Sequence, residues 1–92
     1  MDIRHQETDH KGEFFIEKEG ERIAEMTYSK AGSEKIIIDH TEVFDAGRGK
    51  GYGKKLVKHG VQFARDNDLK VMPLCPFAKA IIMKDESLQD VL

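Results

Sequence analysis

The chain has 92 residues, 39% hydrophobic and 35% charged, with a net charge of −2. That length makes one domain around one core, the composition is that of a soluble globular protein, and no stretch approaches the roughly 20 apolar residues of a membrane span. A single cysteine excludes an intramolecular disulfide, the four histidines show no metal-ligand spacing with it, and Met1-Asp2-Ile3-Arg4 has no signal-peptide pattern, so a cytoplasmic protein without a metal is expected.

Ile3 to Glu7 is a short, polar-rich first strand, and Thr8-Asp9-His10-Lys11-Gly12 reads as a turn. Glu13 to Lys18 is the next strand, and Glu19-Gly20 a tight hairpin connection to Arg22–Ser29. There Ile23, Glu25 and Thr27 alternate with Ala24, Met26 and Tyr28, which places one face on a core. Ala31-Gly32-Ser33 turns the chain into Lys35–Val43, whose isoleucines at Ile36, Ile37 and Ile38 suggest a central strand covered on both sides.

After a glycine-rich stretch the apolar spacing changes from two to three and four. Tyr52, Leu56, Val57, Gly60, Val61 and Ala64 fall on one face of a helix ending near Asn67, and Gly60 on that face suggests a close approach to the sheet. Leu69 to Met72 is a further strand, so the run is β-loop-α-β with a parallel pair, and Pro73 interrupts its ladder. Pro76 opens a second helix with Phe77, Ala80, Ile81 and Lys84 inward, and Ser87 is a candidate cap for a last short turn from Leu88 to Val91. The fold class that follows is α/β (α+β), with a mixed, mostly antiparallel sheet.

Charge is unevenly shared. Residues 1–45 hold six Lys/Arg and twelve Asp/Glu, residues 46–92 nine and five. The positive excess gathers at Arg48, Lys50, Lys54 and Lys55, around glycines at positions 47, 49, 51 and 53, with no carboxylate between Ala46 and Lys58. Bare backbone leading into a helix N-terminus, among cations, is a place for phosphate. Two familiar phosphate loops do not fit. A Walker A loop would need a glycine at Arg48 and a hydroxyl at Lys55, and the dinucleotide fingerprint would need a glycine at Tyr52 or Lys54.

Arg48-Gly49-Lys50-Gly51-Tyr52-Gly53 resembles Arg/Gln-x-x-Gly-x-Gly/Ala, the acetyl-CoA pyrophosphate loop of the GNAT superfamily of N-acetyltransferases, and Val43 stands where that family ends the preceding strand. The likeness runs from about Lys35 to Lys84. It implies an acetyl-CoA site in which the backbone of Thr41 and Val43 pairs with the pantetheine arm. Main-chain amides of Arg48, Gly49, Lys50, Gly51, Tyr52 and Gly53 would hold the pyrophosphate, with Lys54 within a turn of it. It also implies that the two parallel strands splay near Pro73, leaving a gap for the acyl chain.

The sequence departs from the family in two respects. The usual domain has two helices after its first strand and two strands after its last helix, so this chain looks like a minimal member whose acceptor amine, on a small molecule or a protein, is not specified. The late motif Asn-x-x-Ala-x-x-apolar-Tyr, laid on from Cys75, puts its alanine on Ala78 and its acidic tyrosine on Ile82. The usual proton donor is missing. Cys75 lies between a strand and a helix N-terminus, a setting that favours thiolate, and is the candidate catalytic residue, either as acid for the CoA sulfur or as transient acyl acceptor. Its bland reading is a buried, inert thiol.

Lys54, Lys55 and Lys58 read equally as the wet face of a helix, Tyr52 as packing beneath the loop, and His40 and Glu42 as ordinary sheet surface. The rival to catalysis is a module that binds acyl-CoA without turnover. Nucleic-acid binding is the weaker alternative, because no aromatics interleave with the lysines.

Overall fold

The computed structural model describes residues 2–92. Four strands, β1 (Ile3–Glu7), β2 (Lys11–Lys18), β3 (Glu21–Ala31) and β4 (Lys35–Val43), form an antiparallel meander. Helix α1 (Tyr52–Asp66) then crosses over to β5 (Lys70–Pro73), which lies parallel to β4 in the order β1-β2-β3-β4-β5. Helix α2 (Pro76–Lys84) and a 3₁₀ segment, Glu86–Val91, follow.

The β2–β3 hairpin turns at Glu19 (φ 54°) and Gly20 (φ 79°), the pair of left-handed residues whose twist matches antiparallel strands. The expected turn at residues 8–12 is shorter than its composition suggested. Thr8 Oγ1 accepts the Lys11 N–H at 3.2 Å, and Lys11 and Gly12 already pair with Ser29 and Tyr28. Gly12 belongs to the strand because the Tyr28 ring lies across it, 2.2 Å from where a Cβ would stand.

Both helices pack on one face of the sheet. Phe14, Ile16, Ala24, Met26, Ile36 and Ile38 meet Leu56, Val57, Val61 and Ala64 of α1 in a single cluster. Fully burying a side chain such as Leu56 stabilises the fold by about 1.5–3 kcal/mol. All six apolar positions expected on α1 are buried, and a Cβ on Gly60 would stand 2.6 Å from the Met26 methyl, which is the expected close approach.

Three expectations are corrected. Ile36 and Ile38 are buried but Ile37 is only partly so, because it faces the side of the sheet that carries no helix; three consecutive isoleucines here do not mean two covered faces. On that open side Phe15 is buried by the Arg22 guanidinium, 3.9 Å above its ring. In α2 the inward residues are Ala78 and Ile82, with Ile81 partly buried, whereas Phe77, Ala80 and Lys84 are exposed. The helix is set by its β5 connection rather than by its largest side chains. The last segment is capped by Asp85, not Ser87: the Asp85 carboxylate accepts the Ser87 N–H at 3.0 Å and its hydroxyl at 2.6 Å. Arg65 of α1 anchors this segment through two bonds to Asp90, at 2.9 and 2.7 Å, and one to the Ser87 carbonyl.

Candidate functional site

The glycine loop leaves β4 at Val43 and makes a 3₁₀ turn, Asp45–Gly47, before α1. Gly47 is buried against the Ile23 carbonyl and the Tyr52 ring, 2.9 and 3.0 Å from an added Cβ, so the loop is seated on the core there. Gly49 and Gly51 have open space around them but φ of +79° and +75°, a conformation that side chains rarely adopt. Gly51 is the N-cap of α1, and it has no side chain with which to cap the first-turn amides. No acidic residue lies in that turn either. The amides therefore face an open groove of about 360 Å³, walled by Val43, Arg48, Tyr52, Lys54 and Phe77 together with the loop glycines.

Tyr52 is buried, with the Lys55 ammonium 5.7 Å above its ring, as its packing reading anticipated. Arg48 is exposed and pairs with Asp45 at 3.2 Å. Phe77 is the wall that the pattern did not foresee as one. Its ring lies 2.5 Å from where a Cβ on Gly53 would stand, so the absence of a side chain at Gly53 is what lets α2 close over the loop.

The parallel ladder between β4 and β5 runs from Lys35↔Lys70 to Ile38↔Pro73 and goes no further. The N–H groups of Leu74 and Cys75 both close on the Ile38 carbonyl, at 3.1 Å each, as the chain turns away into α2. A bulge makes Asp39 an extra residue in β4, and from there to Val43 the strand is paired with β3 alone. The separation expected at Pro73 is present, and the β4 backbone at Thr41 and Val43 lies along it.

Cys75 is the N-cap of α2, 7% exposed and at the mouth of that separation. Its sulfur makes no capping hydrogen bond of ordinary geometry. Burial pushes the thiol up. The Ala78 amide, the Thr41 hydroxyl and the Phe77 amide more than offset this and leave it below the ordinary cysteine range. Ile82, at the position of the missing tyrosine, is wholly buried and contributes no acid.

His40 and Glu42 lie on the open side of the sheet, 3.2 Å apart, with Glu25 4.0 Å from the imidazole, opposite to the face that bears Cys75. A larger concavity of about 620 Å³ lies between β1, β2 and β3, lined by Gln6, Glu13, Thr27 and Asp39 among others. It shares no residue with the loop. Its carboxylates are engaged, Glu13 by Arg22 at 2.8 Å and Asp39 by Ser29 at 2.7 Å, so the loop groove, with free amides and cations, is the better candidate. Among the described residues no group of three His, Cys, Asp or Glu side chains is placed to hold a metal.

A mixed sheet with a glycine loop between β4 and a crossover helix, and strands that part beyond it, defines the acetyltransferase fold that the loop motif implied. The profile of the GCN5-related N-acetyl-transferase family matches residues 13–91, and the chain belongs to that family. It is similar to a GCN5-like protein of Staphylococcus aureus solved by NMR, with 42% identity and a TM-score of 0.73 over 96% of this chain and 85% of that one. A predicted acetyltransferase from Clostridium acetobutylicum, solved with acetyl-CoA, shares the fold at 15% identity and a TM-score of 0.66, covering 83% of this chain and 56% of that one. Protein NATD1 of Xenopus tropicalis is 32% identical over 62 residues, 67% of this chain and 57% of that protein. The chain thus spans a little over half the length of the curated relatives it matches.

Proposed function

We propose that this chain moves an acetyl group from acetyl-CoA to an amine, with Cys75 as the proton donor to the departing sulfur. The observation that carries the reading is the conjunction of an uncapped α1 N-terminus, open space around Gly49 and Gly51, and a β4 edge from which β5 has withdrawn. The residues present fit the ligand. Amides from Gly49 to Gly53 would hold the pyrophosphate, whereas the expected Arg48 amide is already given to the Asp45 carbonyl at 3.3 Å; Arg48, Lys50 and Lys54 would balance the charge, and the backbone of Thr41 and Val43 would pair with the amides of the pantetheine arm. Acetyl-CoA, when bound, supplies the activated thioester.

Chemistry at the gap needs an amine in its neutral form and an acid for the leaving sulfur. A new N–C bond forms as the C–S bond breaks, the nitrogen loses its extra proton to solvent, and the Cys75 thiol gives its proton to the CoA sulfur before being reprotonated from water. A thiol held below its usual range is a competent donor to an alkyl thiolate. The same property would make Cys75 a nucleophile able to carry the acetyl group, and a covalent acetyl-Cys75 trapped without acceptor would favour that route over direct transfer.

The test has two stages. Titration with acetyl-CoA should shift the amide resonances of residues 48–53, and an amine-dependent release of free CoA should follow. Shifts without release would leave a binding module; no shifts would overturn the site.

A further inference from the structure

Five large apolar side chains are exposed among the described residues: Met72, Leu74, Phe77, Met83 and Leu92. Single exposed apolar side chains are ordinary, so place rather than exposure distinguishes them. Phe77 alone among the five lines the groove beside the glycine loop. Pro76 opens α2 and Ala78 and Ile82 turn inward, which leaves the neighbouring ring of Phe77 against the loop. Gly53, having no side chain, makes room for it: a Cβ there would stand 2.5 Å from the ring tip and 3.4 Å from a Val43 methyl. The groove is therefore apolar where α1 meets α2 and β4, and cationic at Arg48 and Lys54.

Coenzyme A alternates in the same way. Beyond its diphosphate come a methylene and then a carbon bearing two methyl groups and no polar atom, before the hydroxyl and the first amide of the arm. A site that holds the diphosphate on loop amides and pairs the arm with β4 must pass this dimethyl carbon from one to the other. Phe77 stands at that junction, two residues after Cys75 at the mouth of the strand gap and against Gly53 in the first turn of α1. We infer that Phe77 is a specificity-determining residue, its ring and the Val43 methyl packing on the dimethyl carbon, so that the site distinguishes coenzyme A from a nucleotide that ends at the diphosphate. This rests on the reading of the loop as a coenzyme A site, and it deepens that reading by naming what recognises the start of the arm.

An aromatic ring beside a phosphate site can also stack on a base. Placement favours the arm. The adenosine and the arm leave the diphosphate at opposite ends, and the Phe77 ring lies on the side of the loop that leads to β4 and the strand gap. Tyr52, the other aromatic of the groove, is buried and offers no free face.

The test is a binding measurement on the intact chain, by calorimetry with acetyl-CoA and with adenosine 3′-phosphate 5′-diphosphate, which lacks the arm. Phe77 is 46% exposed, so its removal leaves the core in place. Phe77→Ala should weaken acetyl-CoA by about fivefold and change the nucleotide by less than about twofold, while Phe77→Leu, which keeps an apolar surface, should hold both within about twofold. Unchanged or tighter binding of acetyl-CoA to Phe77→Ala would overturn the inference, and equal losses for both ligands would overturn it by assigning the ring to the adenine. A filtered NOE spectrum of the isotope-labelled native chain with unlabelled acetyl-CoA should connect the Phe77 ring protons to the two methyl singlets of the arm. Their absence, in a complex that does shift the amides of residues 49–53, would overturn the role of Phe77 and leave the coenzyme A site standing. If neither ligand binds the native chain, the site and the inference fall together.

Discussion

The ring of Phe77 and the bare Cα of Gly53 are complementary: a Cβ on the glycine would stand 2.5 Å from the ring tip. The contact joins the first turn of α1 to the first turn of α2, and it forms one wall of the groove beside the loop amides.

Gly53→Ala should therefore separate binding from folding. Phe77 is 46% exposed and its ring can swing outward, and alanine improves helix propensity by about 1 kcal/mol, so stability should change by no more than about 1 kcal/mol in urea denaturation. Acetyl-CoA affinity measured by calorimetry should fall at least about tenfold, because the displaced ring and the new methyl crowd the first-turn amides. In a double-mutant cycle, Phe77→Ala should recover part of that loss.

Removing the thiol tests the chemical step alone. In Cys75→Ala the loop and the β4 edge are untouched, so calorimetric affinity for acetyl-CoA should stay within about threefold. The rate of CoA release should fall by about 10²-fold or more, the usual contribution of a positioned acid. Equal turnover would remove Cys75 from the mechanism.

Two other glycines should rank by what meets them. A Cβ on Gly12 would enter the buried Tyr28 ring at 2.2 Å, and that ring is tied down by hydrogen bonds from its hydroxyl to Glu7 at 2.8 Å and with His5 at 2.6 Å. A Cβ on Gly60 would meet only the mobile end of Met26 at 2.6 Å. Chemical denaturation should find Gly12→Ala destabilising by about 3 kcal/mol or unfolded, and Gly60→Ala by about 1 kcal/mol after its helix-propensity gain.

Acidification should loosen β1. Burial holds the His5 imidazole below its ordinary value, despite the nearby Glu7, so the folded form binds its proton less readily than the unfolded chain. Stability from this group is present above the unfolded value near 6.5 and declines as pH falls from there toward the lowered folded value. Glu7, held below its usual range chiefly by the Tyr28 hydroxyl, adds a second loss at lower pH, as its carboxylate is protonated. Urea midpoints measured from pH 7.5 to 5 should fall in the native chain, and the slope should flatten in His5→Gln.

Much of this was readable from neighbours in the chain. The spacing of Leu56, Val57, Val61 and Ala64 named the buried face of α1, Glu19-Gly20 named the hairpin, and the loop from Arg48 to Gly53 named a phosphate site, because each signal is written in residues that touch within a turn or two. Ile37 and Phe77 misled because hydrophobicity says that a side chain wants cover without saying whether any element will supply it. On the open side of the sheet no helix covers Ile37, and at the groove Phe77 serves as a wall.

The sequence by itself determined the order of elements, the place of the glycine loop and the unusual cysteine where a family member would carry asparagine. Only the tertiary structure decided that β5 leaves β4 after Ile38, that α2 turns Ala78 and Ile82 inward, and that Cys75 is buried at the N-cap of α2. Those outcomes depend on side chains distant in sequence competing for the same space above one face of a sheet, and no local pattern records the result of that competition.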